Sequence, residues 1–272
     1  MLEFSISPIE MLARPWRNRG LLRTMTRREI QGRYRGSLFG LCWAVLNPLF
    51  MLAVYTFVFS VIFNARWGGG SGSKSEFALV LFAGLIIFNL FAECFNSAPR
   101  IIPANVNYVK KVIFPLDLLL WMNLGAALFH ALISLGVWVF AYFILCGVPP
   151  VTIFYLPLVL IPLGAFIMGV TWILASLGVF LRDVAQVVGL LTTVLMFLTP
   201  IFYPITALPE SYRPLLLLNP LMPAIELGRN VMFFGKQPDW VLLGGYYVAT
   251  GFIAWLGFAW FQKTRKGFAD VL

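Results

Sequence analysis

The residues of this chain best placed for chemistry are ionisable side chains inside long apolar blocks. His130 is the only histidine, and it falls near the middle of one block. A titratable group is costly there and often marks an ion or substrate path. The equal alternative is a lone histidine satisfied against a neighbouring helix. Glu93 stands about one turn from the end of another block, within reach of Arg100 or of an N-terminal arginine. Asp117 opens an apolar stretch just after Pro115, where a carboxylate favours the positive end of a helix and reads as a cap. Arg182 and Asp183 form a polar hinge between two further blocks.

These residues do not add up to a catalytic set. No nucleophile is paired with His130, and His130 has no spaced metal partners. There is no Asp-x-Asp for holding a nucleotide sugar through a cation, and no Gly-x-x-x-x-Gly-Lys-[Ser/Thr] to cradle ATP phosphates. The run at 68–73 is glycine-rich but lacks the strand and helix that a phosphate loop needs, so it reads as a flexible external loop. Cys42, Cys94 and Cys146 lie in or beside apolar blocks. Their spacing suits neither a metal nor a redox pair, and they read as small apolar residues.

The elements that must position these side chains are membrane helices. Of the 272 residues, 60% are hydrophobic and only 11% charged, against about 25% charged in soluble domains. The apolar residues come in unbroken blocks rather than short amphipathic runs. A bilayer core of about 30 Å takes roughly 20 apolar residues as a helix, and helices pair every backbone group internally. The spacing predicts six spans. The first covers about 41–63, the second 77–96, the fifth 184–203 and the sixth 240–261. No Asp, Glu, Lys or Arg occurs between Asp117 and Arg182. That stretch holds the third and fourth spans, divided by the turn signal at 146–152.

The net charge of +9 does not describe a nucleic-acid face, because the basic residues sit at the ends of the apolar blocks. Fifteen of the twenty Lys and Arg residues fall on one side of the predicted map. They lie in the N-terminal segment, the loop at 99–115, the Arg182 turn and the C-terminal tail. By the positive-inside rule both termini are cytoplasmic. The first forty residues hold eight arginines and no early apolar run, which is not the build of a cleaved leader. The expected organisation is a basic cytoplasmic region at 1–40, a transmembrane domain at 41–262 and a cytoplasmic tail at 263–272. No convincing internal repeat is present.

Three segments exceed what spans and topology require. Leu21, Leu22, Met25 and Ile30 alternate with Arg23, Arg27, Arg28 and Glu29, which suits a basic amphipathic helix lying in the cytoplasmic interface. The loop at 99–115 is amphipathic and fenced by prolines. A brief helix there can lie flat on the membrane and dock into a groove on another protein, although an ordinary connector has the same look. The stretch 204–238 is broken by prolines yet greasy. It is expected to form two short re-entrant helices, since irregular backbone at membrane depth is tolerated where protein buries it or a cavity needs it. Aromatic residues reach 16%. Most belong to lipid-facing and belt positions, and a minority can line a path, since sugar rings stack on aromatic faces.

Several motifs in order along the chain resemble one family. Arg27, Arg28 and Glu29 lead into Arg33-Tyr34-Arg35 with Ser37, then Leu38-Phe39-Gly40, then Trp43 with Pro48 and Leu49. The loop carries Asn105, Asn107, Tyr108, Lys110 and Lys111 before Phe114-Pro115-Leu116. Leu181-Arg182-Asp183 is followed by Pro200 through Pro204, with Tyr203 inside. Asn219-Pro220-Leu221 comes next, with Glu226 and Arg229 downstream. The pattern is similar to the permease subunits of ABC-2 type polysaccharide exporters, which move O-antigen, capsule or teichoic acid chains.

The resemblance implies a bacterial inner-membrane, multi-pass permease and no enzyme of its own. It implies a homodimer bound to two ATPase subunits, with ATP and Mg on those partners and no cofactor on this chain. The cargo implied is a polysaccharide on a polyprenyl diphosphate lipid, O-antigen of lipopolysaccharide above the others. Arg27, Arg28, Glu29, Asn107, Tyr108, Lys110 and Lys111 are the implied coupling surface. Arg28, Arg33, Tyr34 and Arg35 are the implied receivers of the lipid diphosphate, since arginine matches phosphate geometry. Tyr203, Pro204, Glu226 and Arg229 belong to the implied external gate, and Glu93 and His130 are the polar candidates of the channel. An ABC-2 exporter of drugs or small lipids fits the same map. A membrane-embedded glycosyltransferase is the alternative of another class, opposed by the lack of a large cytoplasmic loop. A secondary transporter is a further option, opposed by the lack of related halves.

Overall fold

The structure, a computed structural model, describes residues 5–58, 74–110, 114–205, 209–212, 216 and 219–272. Among these residues every regular element is helical. In chain order they are α1 (Pro8–Arg17), α2 (Arg19–Tyr34), α3 (Trp43–Tyr55), α4 (Lys74–Ala104), α5 (Val106–Lys110) and α6 (Leu118–Leu145). There follow α7 (Leu156–Phe180), α8 (Val184–Leu198), α9 (Met222–Met232), α10 (Trp240–Thr264) and α11 (Phe268–Val271). Short 3-10 turns precede α3 and α7 and follow α10.

Five helical stretches are long and apolar enough to cross a membrane: Gly40–Val58, Glu76–Ala104, Leu118–Leu145, Val151–Phe180 and Trp240–Val271. The chain is therefore an all-helical, multi-pass membrane protein. α8 is apolar but has only 15 residues, about 22 Å of helix. The sequence pattern extends that segment to 203. The helix stops earlier because Thr199 precedes Pro200, and the ring of a proline drives the preceding residue into extended backbone. Thr199 accordingly has ψ 137°.

α4 is the centre of the bundle. It is buried along most of its length, with α6, α7, α8 and α9 packed around it. Trp138 of α6 donates its indole N–H to the Leu79 carbonyl of α4 at 2.8 Å. α10 joins through α7, where two glycines let the backbones meet. A Cβ on Gly169 would stand 2.6 Å from the Ile253 carbonyl oxygen, and one on Gly257 would stand 2.0 Å from that of Gly169. Small residues at such crossings are how membrane helices gain packing without a hydrophobic drive.

α4 runs on past the predicted end of the second span, through Pro99 and Pro103, to Ala104. Proline removes an N–H from the helical ladder, here the donors to the Phe95 and Pro99 carbonyls, and the neighbouring turns carry extra side-chain bonds. Asn96 Nδ2 donates to Ala92, Ser97 Oγ to Glu93, and Asn105 Nδ2 to Ile101, each at 2.8 Å. The expected brief helix of the 99–115 loop is α5, five residues long. Within 204–238 the structure describes a 3-10 turn at Glu210–Tyr212 and the helix α9. Lys111, the glycine-rich run and parts of 204–238 lie outside the described residues.

The N-terminal region forms two helices. Ser7 caps α1 by accepting from the Ile9 N–H at 3.3 Å, and Pro8 starts the helix. Ile9, Leu12 and Trp16 of α1 are exposed, while Glu10 pairs with Arg14 and Arg17. α2 packs along α6, with Thr26 against Gly125.

Candidate functional site: three polar clusters along α4 and α6

The first cluster joins α2, α4 and α6. Arg33 Nη1 donates to Glu93 Oε1 at 2.6 Å. His130 Nδ1 faces the same carboxylate at 2.9 Å and 3.1 Å. Arg33 Nη1 stands 3.2 Å from the same His130 Nδ1, so that nitrogen lies between a donor and an acceptor. His130 Nε2 is buried with no hydrogen-bond partner among the described residues. The Tyr34 ring meets the imidazole edge-on at 5.9 Å. Burial raises the Tyr34 phenol above its ordinary pKa, with Arg33 opposing and Glu93 adding to the rise.

Of the sequence alternatives for Glu93, an N-terminal arginine is the partner, and the two channel candidates Glu93 and His130 are one unit. They open onto a cavity of about 470 Å³ whose wall includes Trp43, Asn47, Asn89 and Ser134. Asn47, Asn89 and Ser134 escaped the sequence reading. Their only signal was being lone polar residues inside apolar spans.

The coupling and diphosphate candidates divide between two other cavities. Arg28, Glu29 and Arg35 of the α2 region share one of about 600 Å³ with Asn105 and Tyr108. Arg27 lies on the far side of α2, lining a cavity of about 530 Å³ with Arg19, Arg23 and Phe129. Asn107 and Lys110 are exposed on α5. Tyr108 stacks on Phe114, ring centroids 4.7 Å apart. Arg33 and Tyr34 thus turn away from Arg28 and Arg35, towards Glu93 and His130.

The second cluster centres on Asp117, which is fully buried. Its carboxylate makes no capping hydrogen bond to α6, so the expected cap role is corrected. Instead Arg14 Nη1 of α1 donates to Asp117 Oδ1 at 3.1 Å, and Arg265 Nη1 stands 3.5 Å from the same oxygen. Paired cations meet the cost of burying a carboxylate better than a helix end does. The cluster ties the N-terminal helix, the start of α6 and the end of α10 together.

The third cluster holds the gate candidates. Arg229 of α9 is 1% exposed. Its guanidinium donates to the carbonyls of Pro200, of Ile201 at 2.6 Å and of Val80 at 3.2 Å. Glu226 Oε1 lies 3.6 Å away. Proline at 200 and the end of α8 free carbonyls there, and the planar fork of arginine gathers them. Gly84 leaves the necessary room, since a Cβ there would stand 2.7 Å from Arg229 Nη2. Tyr203 donates its hydroxyl to the Phe197 carbonyl at 3.0 Å, and Pro204 follows it out of the turn. Asn219 Nδ2 donates to Thr199 Oγ1 at 2.8 Å, closing the same corner.

Among the described residues no three His, Cys, Asp or Glu side chains gather as metal ligands. What the arrangement offers is a row of polar cavities and ion-paired joints in an apolar bundle. Known proteins are similar to this sequence over most of its length. An O-antigen export system permease protein of Klebsiella pneumoniae is 27% identical over 255 residues, 93% of this chain and 95% of its own. One from Myxococcus xanthus is 26% identical over 264 residues, 96% of this chain and 99% of its own. A polysialic acid transport protein of Escherichia coli is 26% identical over 247 residues, 88% of this chain and 91% of its own. The sequence pattern of the ABC-2 type transporters matches residues 20–233, and the chain belongs to that family.

Proposed function

We infer that this chain is the membrane permease of an ATP-driven exporter of lipid-linked polysaccharide, O-antigen above capsule or teichoic acid. The observation that carries the reading is the near full-length similarity to O-antigen export permeases. Power comes from ATPase subunits on another polypeptide, with ATP and Mg held there. Both termini face the cytoplasm of a bacterial inner membrane, and α8 with the residues to 203 makes a short fifth crossing of six. Two copies enclose the channel.

The polar cavities divide the work. Arg28 and Arg35 receive the lipid diphosphate, where arginine forks suit phosphate oxygens. α5, with Asn107, Tyr108 and Lys110 beside Glu29 and Arg28, meets the ATPase and carries its closure into α4. α1, with Ile9, Leu12 and Trp16 exposed, lies in the cytoplasmic interface. α9, held on Arg229, acts with Tyr203, Pro204 and Glu226 as the external gate.

The test is deletion of the gene in its native host, with staining of surface and intracellular polysaccharide. Loss of the surface polymer with accumulation inside, both reversed by the restored gene, is the expected result. An unchanged surface polymer with altered drug sensitivity would move the reading to a drug exporter.

A further inference from the structure

We propose that the cavity at Glu93 and His130 is a saccharide subsite, which holds a sugar ring of the polymer as it passes. The proposal rests on the functional reading above and adds to it a site and a ligand chemistry.

The charges come first. Arg33 is bound to Glu93 at 2.6 Å, so its cation is matched inside the protein. This cavity therefore offers a phosphate no free positive charge. The neighbouring cavity, with Arg28 and Arg35 against Glu29 alone, keeps an excess of cation. A neutral ligand suits the first and an anionic one the second.

The hydrogen-bonding groups come next. Asn47 and Asn89 bring amides to the wall beside the Glu93 carboxylate, and Ser134 Oγ, which donates to the His130 carbonyl at 2.9 Å, adds an acceptor. Amides offer donors and acceptors together, while a carboxylate only accepts. In an apolar bundle such groups cost free energy unless a partner meets them. A lipid chain provides none. A sugar hydroxyl both donates and accepts, so it can answer the carboxylate and the amides at once.

The shape agrees. Trp43 and Tyr34 border the same cavity, and flat aromatic faces receive the C–H face of a pyranose while their polar atoms stay free to bond. The volume of about 470 Å³ lies within the roughly 300–1,000 Å³ common for small-ligand sites. α3, which forms one wall, buries only Ala44. That light attachment lets the wall yield as successive rings arrive.

The experiment places the photo-crosslinker p-benzoylphenylalanine at Met51, on the wall of this cavity. A control puts it at Phe154, on the apolar cleft between α6 and α7. Cells making the full exporter and its polymer are irradiated, and the purified permease is stained for sugar by periodate oxidation. A sugar-stained adduct at position 51, absent at 154 and absent in cells lacking the polymerising glycosyltransferases, is the expected result. A second variant pair, Asn47→Ala with Asn89→Ala, should slow appearance of surface polymer about tenfold, as the loss of ~1.4 kcal/mol would. Normal surface polymer with no adduct at 51 and no slowing in the pair overturns the subsite and leaves the export reading standing. Surface polymer that does not depend on the permease at all overturns the export reading itself.

Discussion

Arg33 on α2 and Glu93 on α4 are 60 residues apart in sequence and meet at 2.6 Å, with His130 of α6 closing the group. The contact fixes the N-terminal helices onto the bundle at the height of the polar cavity. A change at either residue therefore reaches both the cavity and the basic helix that borders it.

A double-mutant cycle between Arg33→Ala and Glu93→Ala checks this joint. Arg33 is 39% exposed at its side chain, so solvent screens the pair, and a coupling of about 0.5–1 kcal/mol is expected. Thermal unfolding of the purified protein in detergent reads it. Strict additivity would show the contact to be idle. Glu93→Gln should keep the fold and lower export.

Arg229→Ala should be the most damaging single change in the α9 corner. It leaves the carbonyls of Pro200 and Ile201 unanswered in the interior and strips the extra donor from Val80, whose carbonyl stays in the α4 ladder. The expected loss of stability is about 3 kcal/mol, given about 1–3 for each unpaired buried group. Arg229→Lys should recover only part of it, because an ammonium cannot span three carbonyls in one plane. Equal stability of the alanine variant and the wild type would refute the bracing role.

Asp117→Asn tests the link between the two ends of the chain. The amide keeps the volume and loses the attraction for Arg14 and Arg265. Trypsin should then cut faster at Arg17 and Arg19, while the bundle core stays resistant. An unchanged digestion pattern would mean that α1 is held by something else.

Gly257→Leu should abolish folded protein, as the new side chain meets the backbone of Gly169 across the α7–α10 crossing. Membrane abundance, followed by blotting, is the measurement. Gly244→Leu, with open space around it, is the matched control and should accumulate normally.

Tyr108→Ala removes the stack on Phe114 that shapes the α5 turn. It should leave the permease in the membrane but separate ATP hydrolysis by the partner from polymer export, as should alanine at Lys110. Hydrolysis and surface polymer falling in step, or neither changing, would contradict a coupling role.

The long apolar blocks were legible because a bilayer demands length and low charge, and both are local properties of the chain. That reasoning located the helices that became α3, α4, α6, α7 and α10. It ended the second span at 96, because it followed the charge-free stretch and stopped short of Arg100, whereas α4 runs on to Ala104. Asn96, Ser97 and Asn105 answer carbonyls in that stretch, and such side-chain bonds are hard to foresee from the pattern. It carried the fifth segment to 203, discounting what Pro200 does to Thr199. Glu93 and His130 stood out as ionisable residues in apolar blocks, and Arg229 only through the family motif. Their partners did not, since Asp117 and Arg14 lie 103 residues apart, and no periodicity reports such a meeting. The cap assigned to Asp117 was the local solution, and the fold chose a tertiary one.

Purification of the tagged chain from its native host, followed by mass spectrometry of everything bound, tests the account most directly. The account predicts a second copy of the chain, an ABC ATPase and a sugar chain on a polyprenyl diphosphate. Recovery of the permease with an ATPase and no glycan, from cells that are making the polymer, would contradict it.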